Sequence, residues 1–90
     1  YSVAQILKAA GNEVIKTHRM LLAIRVMLDT YYVQSIRAKK EFDNGIIEVA
    51  EFTRLQQMHH ESLIAMEQQK ADFQLSVQLL EEIIGAKLDL

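Results

Sequence analysis

The stretch that decides the fold is Phe42-Asp43-Asn44-Gly45-Ile46-Ile47, at the centre of a chain of 90 residues. Asn-Gly is the strong turn signal in this region, and the chain contains no Pro. Glycine suits a helix end because it adopts positive φ without a Cβ clash. Apolar residues recur with helical spacing on both sides of Gly45, over stretches of similar length. The sequence therefore predicts an all-α fold, in which two long antiparallel helices form a hairpin with an apolar tip.

The first arm carries the a/d spacing of a helix that packs along a seam. Its seam positions alternate by four and three residues: Val3, Leu7, Ala10, Val14, Thr17, Leu21, Ile24, Leu28, Tyr31, Ser35, Ala38 and Phe42. A second apolar stripe lies on a neighbouring face and consists of Ile15, Leu22, Val26, Val33 and Ile36. Two stripes on one helix indicate two different helical neighbours.

The second arm repeats this spacing with a poorer seam. The predicted positions are Phe52, Gln56, His59, Leu63, Met66, Lys70, Phe73, Val77, Leu80 and Ile84. Gln56, His59 and Lys70 interrupt its apolar character. Beside it lie further apolar residues together with the small residues Ser62 and Ala65, which let helices approach closely. Core packing is the simplest interpretation of all these stripes.

The helix ends can also be placed. Ser2 and Gln5 fit a capping box, and Gly85 marks a helix stop. We predict a single hairpin over residues 1–90, with a helix over about 3–43, a turn at 43–48 and a helix over about 48–85. Gly11 and Asn12 lie inside the first helix, where either a continuous helix or a kink at 11–12 fits. At 1.5 Å per residue each arm is about 60 Å long, a length typical of bundles or barrels of hairpins.

Composition limits what such a chain does. Half of the residues are apolar, which is more apolar surface than a single helix–helix seam can bury. We therefore expect self-association. No apolar run approaches the roughly 18 residues of a membrane span. The chain begins at Tyr1, and we expect it to be a fragment or a processed form of a longer protein.

The net charge of −2 conceals an asymmetry between the arms. Seven Lys/Arg and four Asp/Glu precede Gly45, whereas three Lys/Arg and eight Asp/Glu follow from there. Opposite charges favour pairing of the arms, within one chain or between chains. Two solvated faces of chance composition are the alternative. Neither arm is basic enough to indicate nucleic acid binding.

The sequence offers no catalytic constellation. His59 and His60 are adjacent, so on a helix their rings diverge by about 100°, whereas zinc-binding His pairs on a helix are spaced i and i+4. His18 approaches them only if the hairpin register allows it. No Ser/His/Asp arrangement or Gly-rich phosphate loop is present. We therefore predict no enzyme, no cofactor and no metal.

The central stretch also carries a motif. The chain resembles TolC-type outer-membrane efflux proteins, whose signature contains an aromatic residue, a Gly, an acidic residue and a Gln at fixed spacing. The residues that match these four positions, in order, are Phe42, Gly45, Glu51 and Gln56. A second match is Leu79-Leu80-Glu81-Glu82-Ile83-Ile84-Gly85, similar to the family's closing helix. Glu48 departs from the family's Ser/Thr, and Phe52 and Thr53 replace Val and Leu. The resemblance covers roughly residues 30–88.

The resemblance implies a role in an outer-membrane duct. Such proteins are trimers with two repeats per chain, whose long helices form a periplasmic α-barrel. This chain is then one hairpin of the tunnel, and its turn meets a periplasmic adaptor protein. The implied contact residues are Phe42, Asn44, Gly45, Ile46, Ile47, Glu48 and Glu51. The alternative is a free coiled-coil hairpin, an interaction module that dimerises into a four-helix bundle.

Overall fold

The structure, a computed structural model, describes residues 2–85. Helix α1 spans Val3–Asp43 and helix α2 spans Val49–Ile84. They run antiparallel, since Thr17 contacts Ser76 in the half away from the turn and Phe42 contacts Phe52 beside the turn. The molecule measures 63 × 23 × 14 Å. The predicted all-α helical hairpin is therefore confirmed.

Helix α1 begins at the predicted capping box. The Oγ of Ser2 accepts a hydrogen bond from the backbone N–H of Gln5 at 3.2 Å, and the Oε1 of Gln5 accepts one from the backbone N–H of Ser2 at 3.1 Å. The helix then runs through Gly11 and Asn12 as one element. The heptad spacing that passes through these two residues is thus carried by a single helix.

Helix α1 ends in a Schellman motif centred on Gly45. The N–H of Gly45 donates to the carbonyl of Phe42 at 3.0 Å, and the N–H of Ile46 donates to the carbonyl of Glu41 at 2.8 Å. Gly45 has φ +70°, a left-handed conformation that glycine adopts at little cost. The backbone conformation of the turn therefore favours glycine at position 45.

Helix α2 has different ends. Glu48 is its N-cap, in extended conformation, and its side chain makes no capping hydrogen bond. At the other end Gly85 adopts φ +69° and donates its N–H to the carbonyl of Glu81 at 2.8 Å. The second glycine thus ends a helix in the same left-handed conformation as the first.

The predicted seam agrees with α1 and is partly wrong for α2. From Ala10 to Phe42 every predicted α1 position is buried or half-buried. In α2, however, Leu63, Lys70 and Ile84 are exposed, and the buried positions include Ser62, Gln69 and Ser76. Ser62 is buried where Leu63 was predicted, and Gln69 is buried where Lys70 was predicted. A difference of one residue corresponds to a rotation of α2 by about 100° around its axis. Helix α2 thus turns small and polar residues toward α1.

Candidate functional site

Few side chains of the hairpin are fully buried, and most of those are polar. Within residues 2–85, the buried apolar side chains are Ala38 and Met66. The buried polar side chains are more numerous: Thr17, Ser35, Ser62, Gln69 and Ser76. Small and hydrogen-bonded side chains let two backbones approach closely, but they contribute little hydrophobic stabilisation. The fully buried positions therefore add little hydrophobic stabilisation, and most of it must come from the half-buried apolar residues of the seam.

Hydrogen bonds across the seam fix how the helices align. The hydroxyls of Thr17 and Ser76 lie 2.8 Å apart, and the Nε2 of Gln69 donates to the carbonyl of Thr17 at 3.1 Å. Nearer the turn, the Nε2 of Gln56 donates to the carbonyl of Ser35 at 3.0 Å. A shift of either helix would leave the buried amide of Gln69 without its partner, at a cost of about 1–3 kcal/mol. The hydroxyls of Thr17 and Ser76 would keep the carbonyls of their own helices as acceptors. The polar seam thus specifies the register.

Three aromatic contacts join the helices at separate levels. Phe42 stacks on Phe52, with ring centroids 4.6 Å apart. The ring of His18 lies 5.4 Å from that of Phe73, and the rings of Tyr32 and His59 are 5.6 Å apart. The His18 and His59 rings therefore lie at different levels. Among the described residues, no group of three or more His, Asp or Glu is arranged to hold a metal ion.

Most large apolar side chains face outward. The second stripe of α1, called the outer stripe here, consists of Ile15, Leu22, Val26, Val33 and Ile36, and each of them is about half exposed or more. Val26 reaches 68% exposure. On α2, Leu63, Ile64, Leu75 and Leu79 are also exposed. Apolar surface on this scale is typical of an interaction site.

An apolar groove lies between the helices at the end opposite the turn. It has a volume of about 910 Å³, and Ile6, Ala9, Glu13, Leu79, Glu82 and Ile83 are among its lining residues. A smaller pocket shares Glu13 and Leu79 with it and extends along the seam to Met20 and Asp72. The two form one continuous surface, called the open-end groove here.

The charges of the two helices do not meet within the hairpin. The ion pairs among residues 2–85 are Lys39–Asp43 at 3.2 Å, Arg54–Glu51 at 2.7 Å and Lys70–Glu67 at 3.4 Å. Each joins residues of the same helix. The two arms do pair in the hairpin, but no ion pair among residues 2–85 joins α1 to α2, so this pairing does not depend on salt bridges between their opposite charges.

The tip places the predicted contact residues in different environments. Phe42 is held in the stack with Phe52, and Ile47 is half-buried. Ile46 is 69% exposed. The other exposed predicted residues are Asn44, Gly45 and Glu48. Ile46 is thus the apolar side chain that the tip offers most openly.

Glu51 is engaged within its own helix. The Nη2 and Nε of Arg54 donate to its two carboxylate oxygens at 2.7 Å and 3.0 Å. These hydrogen bonds lower the pKa of Glu51 and raise the pKa of Arg54, because they stabilise both charged forms. The guanidinium also donates to the sulfur of Met58 at 3.2 Å. The carboxylate of Glu51, the acid of the motif, is therefore paired with the guanidinium of Arg54 and is not free.

Neither helix of the described chain contains an apolar stretch long enough to cross a bilayer. No protein-family model, curated protein or solved structure matches the chain. The resemblance to TolC-type proteins consequently rests on the spacing of Phe42, Gly45, Glu51 and Gln56 and on the closing stretch of α2.

The sequence indicates Ser62 as a small residue beside the predicted seam of α2, but it does not predict Gln69 and Ser76 as seam residues. Ser62, Gln69 and Ser76 are spaced one heptad, seven residues, apart. That spacing places them on one face of a helix. Leu63 follows Ser62 and Val77 follows Ser76, however, and these larger apolar residues favour a different face as the buried one. Gln56 matches the motif, yet its contact with Ser35 is evident only in the structure.

Proposed function

We propose that this chain is a wall element of an outer-membrane efflux or secretion duct of the TolC type, located in its periplasmic part. A passive duct needs long helices that pack side by side and no catalytic site. The observation that carries the proposal is the distribution of side chains: in a 63 Å hairpin the fully buried side chains are mostly polar, and more than half of the large apolar side chains are exposed. Such a hairpin fits a position between neighbours better than a position alone.

The two exposed surfaces support this role. The outer stripe lies on α1 facing away from the seam, whereas the open-end groove lies between the two helices. A hairpin that is apolar on more than one side can contact one neighbour on each side, which is the requirement for a closed wall. In the proposed duct, the parent protein is a trimer and the neighbours are further hairpins of the same wall.

Self-association of the isolated hairpin follows from the same surfaces. We expect the 10.3 kDa chain to sediment as a dimer or larger species at micromolar concentration, because its exposed apolar side chains are covered only by association. Analytical ultracentrifugation over a range of concentrations measures this. A closed dimer that forms no larger species would favour the four-helix bundle, and a monomer at all concentrations would contradict both roles.

The tip is the proposed contact with a periplasmic adaptor protein. Ile46 projects from the turn at 69% exposure, beside the exposed Glu48. In a monomer this position contributes little to stability, so an apolar side chain there is best explained by a partner. Phe42 supports the contact indirectly, because its stack with Phe52 closes the tip and holds the turn.

Substitution of the tip tests the proposed contact. In the complete protein that carries this hairpin, Ile46→Asp should weaken adaptor cross-linking about tenfold, which corresponds to roughly 1.4 kcal/mol. Trimer level and membrane insertion should remain normal. Thr53→Asp is the matched control, because Thr53 is exposed on α2 beyond the turn and is not a proposed contact. Unchanged cross-linking and export in Ile46→Asp would exclude the tip as the docking surface.

A further inference from the structure

The side of α1 opposite the seam forms one continuous surface, called the outer face here. Two columns of residues run along it with a spacing of seven, and every side chain in them is exposed. The columns are Lys8, Ile15, Leu22, Asp29 and Ile36, and Asn12, Arg19, Val26, Val33 and Lys40. The outer face thus combines the whole outer stripe with three basic residues and one acid, over about 50 Å of helix.

The basic residues of α1 are mostly not neutralised within the hairpin. Helix α1 contains seven Lys/Arg, and of these Lys39 alone forms an ion pair among residues 2–85, with Asp43. The two basic residues of α2, Arg54 and Lys70, each pair with a Glu of their own helix. Cations that lack an ion-pair partner among the described residues are therefore concentrated on α1.

The acids of α1 lie mostly away from the outer face. Glu13 lines the open-end groove, and Glu41 is half-buried. Asp43 is paired with Lys39. Asp29 is the one acid in the two columns. The outer face therefore has a positive net charge, although the net charge of the chain is −2.

An exposed apolar stripe accompanied by cations is typical of a helix that lies flat on an anionic lipid surface. The outer face projects from a single helix, because α2 packs on the opposite side of α1, so it offers no groove to a partner helix. Its apolar part extends over about 30 Å, from Ile15 to Ile36. Its cations are distributed along the helix, which matches the distributed negative charge of a bilayer better than a local acidic site.

We propose that the outer face of α1 binds the surface of a bilayer that contains anionic lipids, with the helix parallel to the membrane plane. Leu22, Val26 and Val33 enter the boundary between headgroups and acyl chains. Arg19 and Lys40 contact the lipid phosphates. The inference goes beyond the proposed function. In a completed wall a neighbour covers the outer stripe, so lipid binding belongs to the chain before assembly.

Vesicle co-sedimentation of the 90-residue chain at sub-micromolar concentration tests the contact. The chain should bind vesicles of phosphatidylcholine and phosphatidylglycerol in equal parts at least about tenfold more tightly than vesicles of phosphatidylcholine alone. Binding should weaken as salt is raised, because exposed charges are screened over about 10 Å at 0.1 M.

Two charge variants with the same net charge locate the electrostatic part of the contact. The outer-face variant, Lys8→Gln, Arg19→Gln and Lys40→Gln, should bind the anionic vesicles at least about tenfold more weakly than the unchanged chain. The matched control removes the three cations that pair within their own helices, by Lys39→Gln, Arg54→Gln and Lys70→Gln. It should lose much less affinity. Equal losses in the two variants would show that overall charge, and not the outer face, attracts the chain.

A second pair of variants tests the apolar part. Leu22→Ser with Val26→Ser should weaken binding to the anionic vesicles at least about fivefold, because these side chains no longer enter the bilayer boundary. Ile64→Ser with Leu75→Ser is the control, since both residues are exposed on α2. Unchanged binding in the first variant would overturn the inference. Circular dichroism checks that every variant keeps its helix content.

The outcomes for the unchanged chain separate this inference from the proposed function. If the chain does not bind the anionic vesicles, the inference is overturned and the outer stripe is left to a protein partner. The wall function then stands provided that the chain self-associates. If the chain binds the vesicles but is monomeric at all concentrations without them, lipid binding stands and the wall function fails.

Discussion

Ala38→Leu should separate the two helices near the turn and destabilise the hairpin by about 1–3 kcal/mol, the usual cost of adding bulk to a closely packed position. Ala38 is 1% exposed, the lowest exposure among the buried residues of the described chain. A Leu side chain needs space that the close approach of the helices does not provide.

Thermal unfolding at one fixed protein concentration measures this effect. For a domain of 60–100 residues, each kcal/mol lowers the Tm by about 4–8 °C. Ala23→Leu is the matched control, because Ala23 lies on the same helix and is exposed. It should leave the Tm nearly unchanged, since both residues are strong helix formers. An equal loss in both variants would show that the close approach at Ala38 is not what limits the side chain.

Gly45→Val should produce the second large loss, through the backbone of the turn. Gly45 has φ +70°, and a left-handed conformation costs an L-residue about 1–2 kcal/mol, with a β-branched side chain among the least tolerant. A Cβ added at Gly45 would meet no heavy atom within 4 Å, so the expected loss comes from backbone strain and not from a steric clash with the rest of the chain.

Gly11→Val provides the comparison for this substitution. Gly11 lies inside α1, and a Cβ there would also meet nothing within 4 Å. Val has a higher helix propensity than Gly, so stability should be unchanged or slightly greater. The free energy of unfolding, measured by urea denaturation, should therefore fall in one variant and not in the other. Equal values for the two variants would contradict the assigned conformation of Gly45.

The polar interior and apolar exterior together couple folding to assembly. Hydrogen bonds such as that between Gln69 and Thr17 select the register, whereas the burial of Leu22 or Leu79 requires a neighbour. A partner that binds the folded hairpin and not the unfolded chain raises its apparent stability by mass action. The stability of this hairpin should consequently increase with protein concentration.

The motif predicts where the tip lies but not which of its residues are available. The positions of Asn44, Gly45 and Ile46 in the turn follow from the local sequence. The stack of Phe42 on Phe52 and the pairing of Glu51 with Arg54 depend on side-chain geometry across and along the helices. These contacts decide that Ile46, more than Phe42 or Glu51, is open to a partner.

Local sequence is sufficient to define the helix ends, the turn and the seam of α1. A capping box at Ser2 and a left-handed glycine at 45 and 85 act through backbone conformation, which neighbouring residues in the chain control. The α1 seam is predictable because apolar and small residues keep one unbroken heptad spacing. None of these features requires a contact between distant parts of the chain.

The face that α2 turns toward α1 depends instead on the packing of the two helices. If α2 is rotated by one residue, Ser62 takes the place of Leu63 at the seam and Gln69 takes the place of Lys70. Hydrophobicity alone would bury Leu63, whereas the structure buries Ser62. Two helices that approach as closely as these at Ala38 need small side chains, and they need polar groups that find hydrogen-bond partners across the seam, as Ser76 does with Thr17. Those conditions involve residues far apart in the chain, so they are met only when both helices are in place.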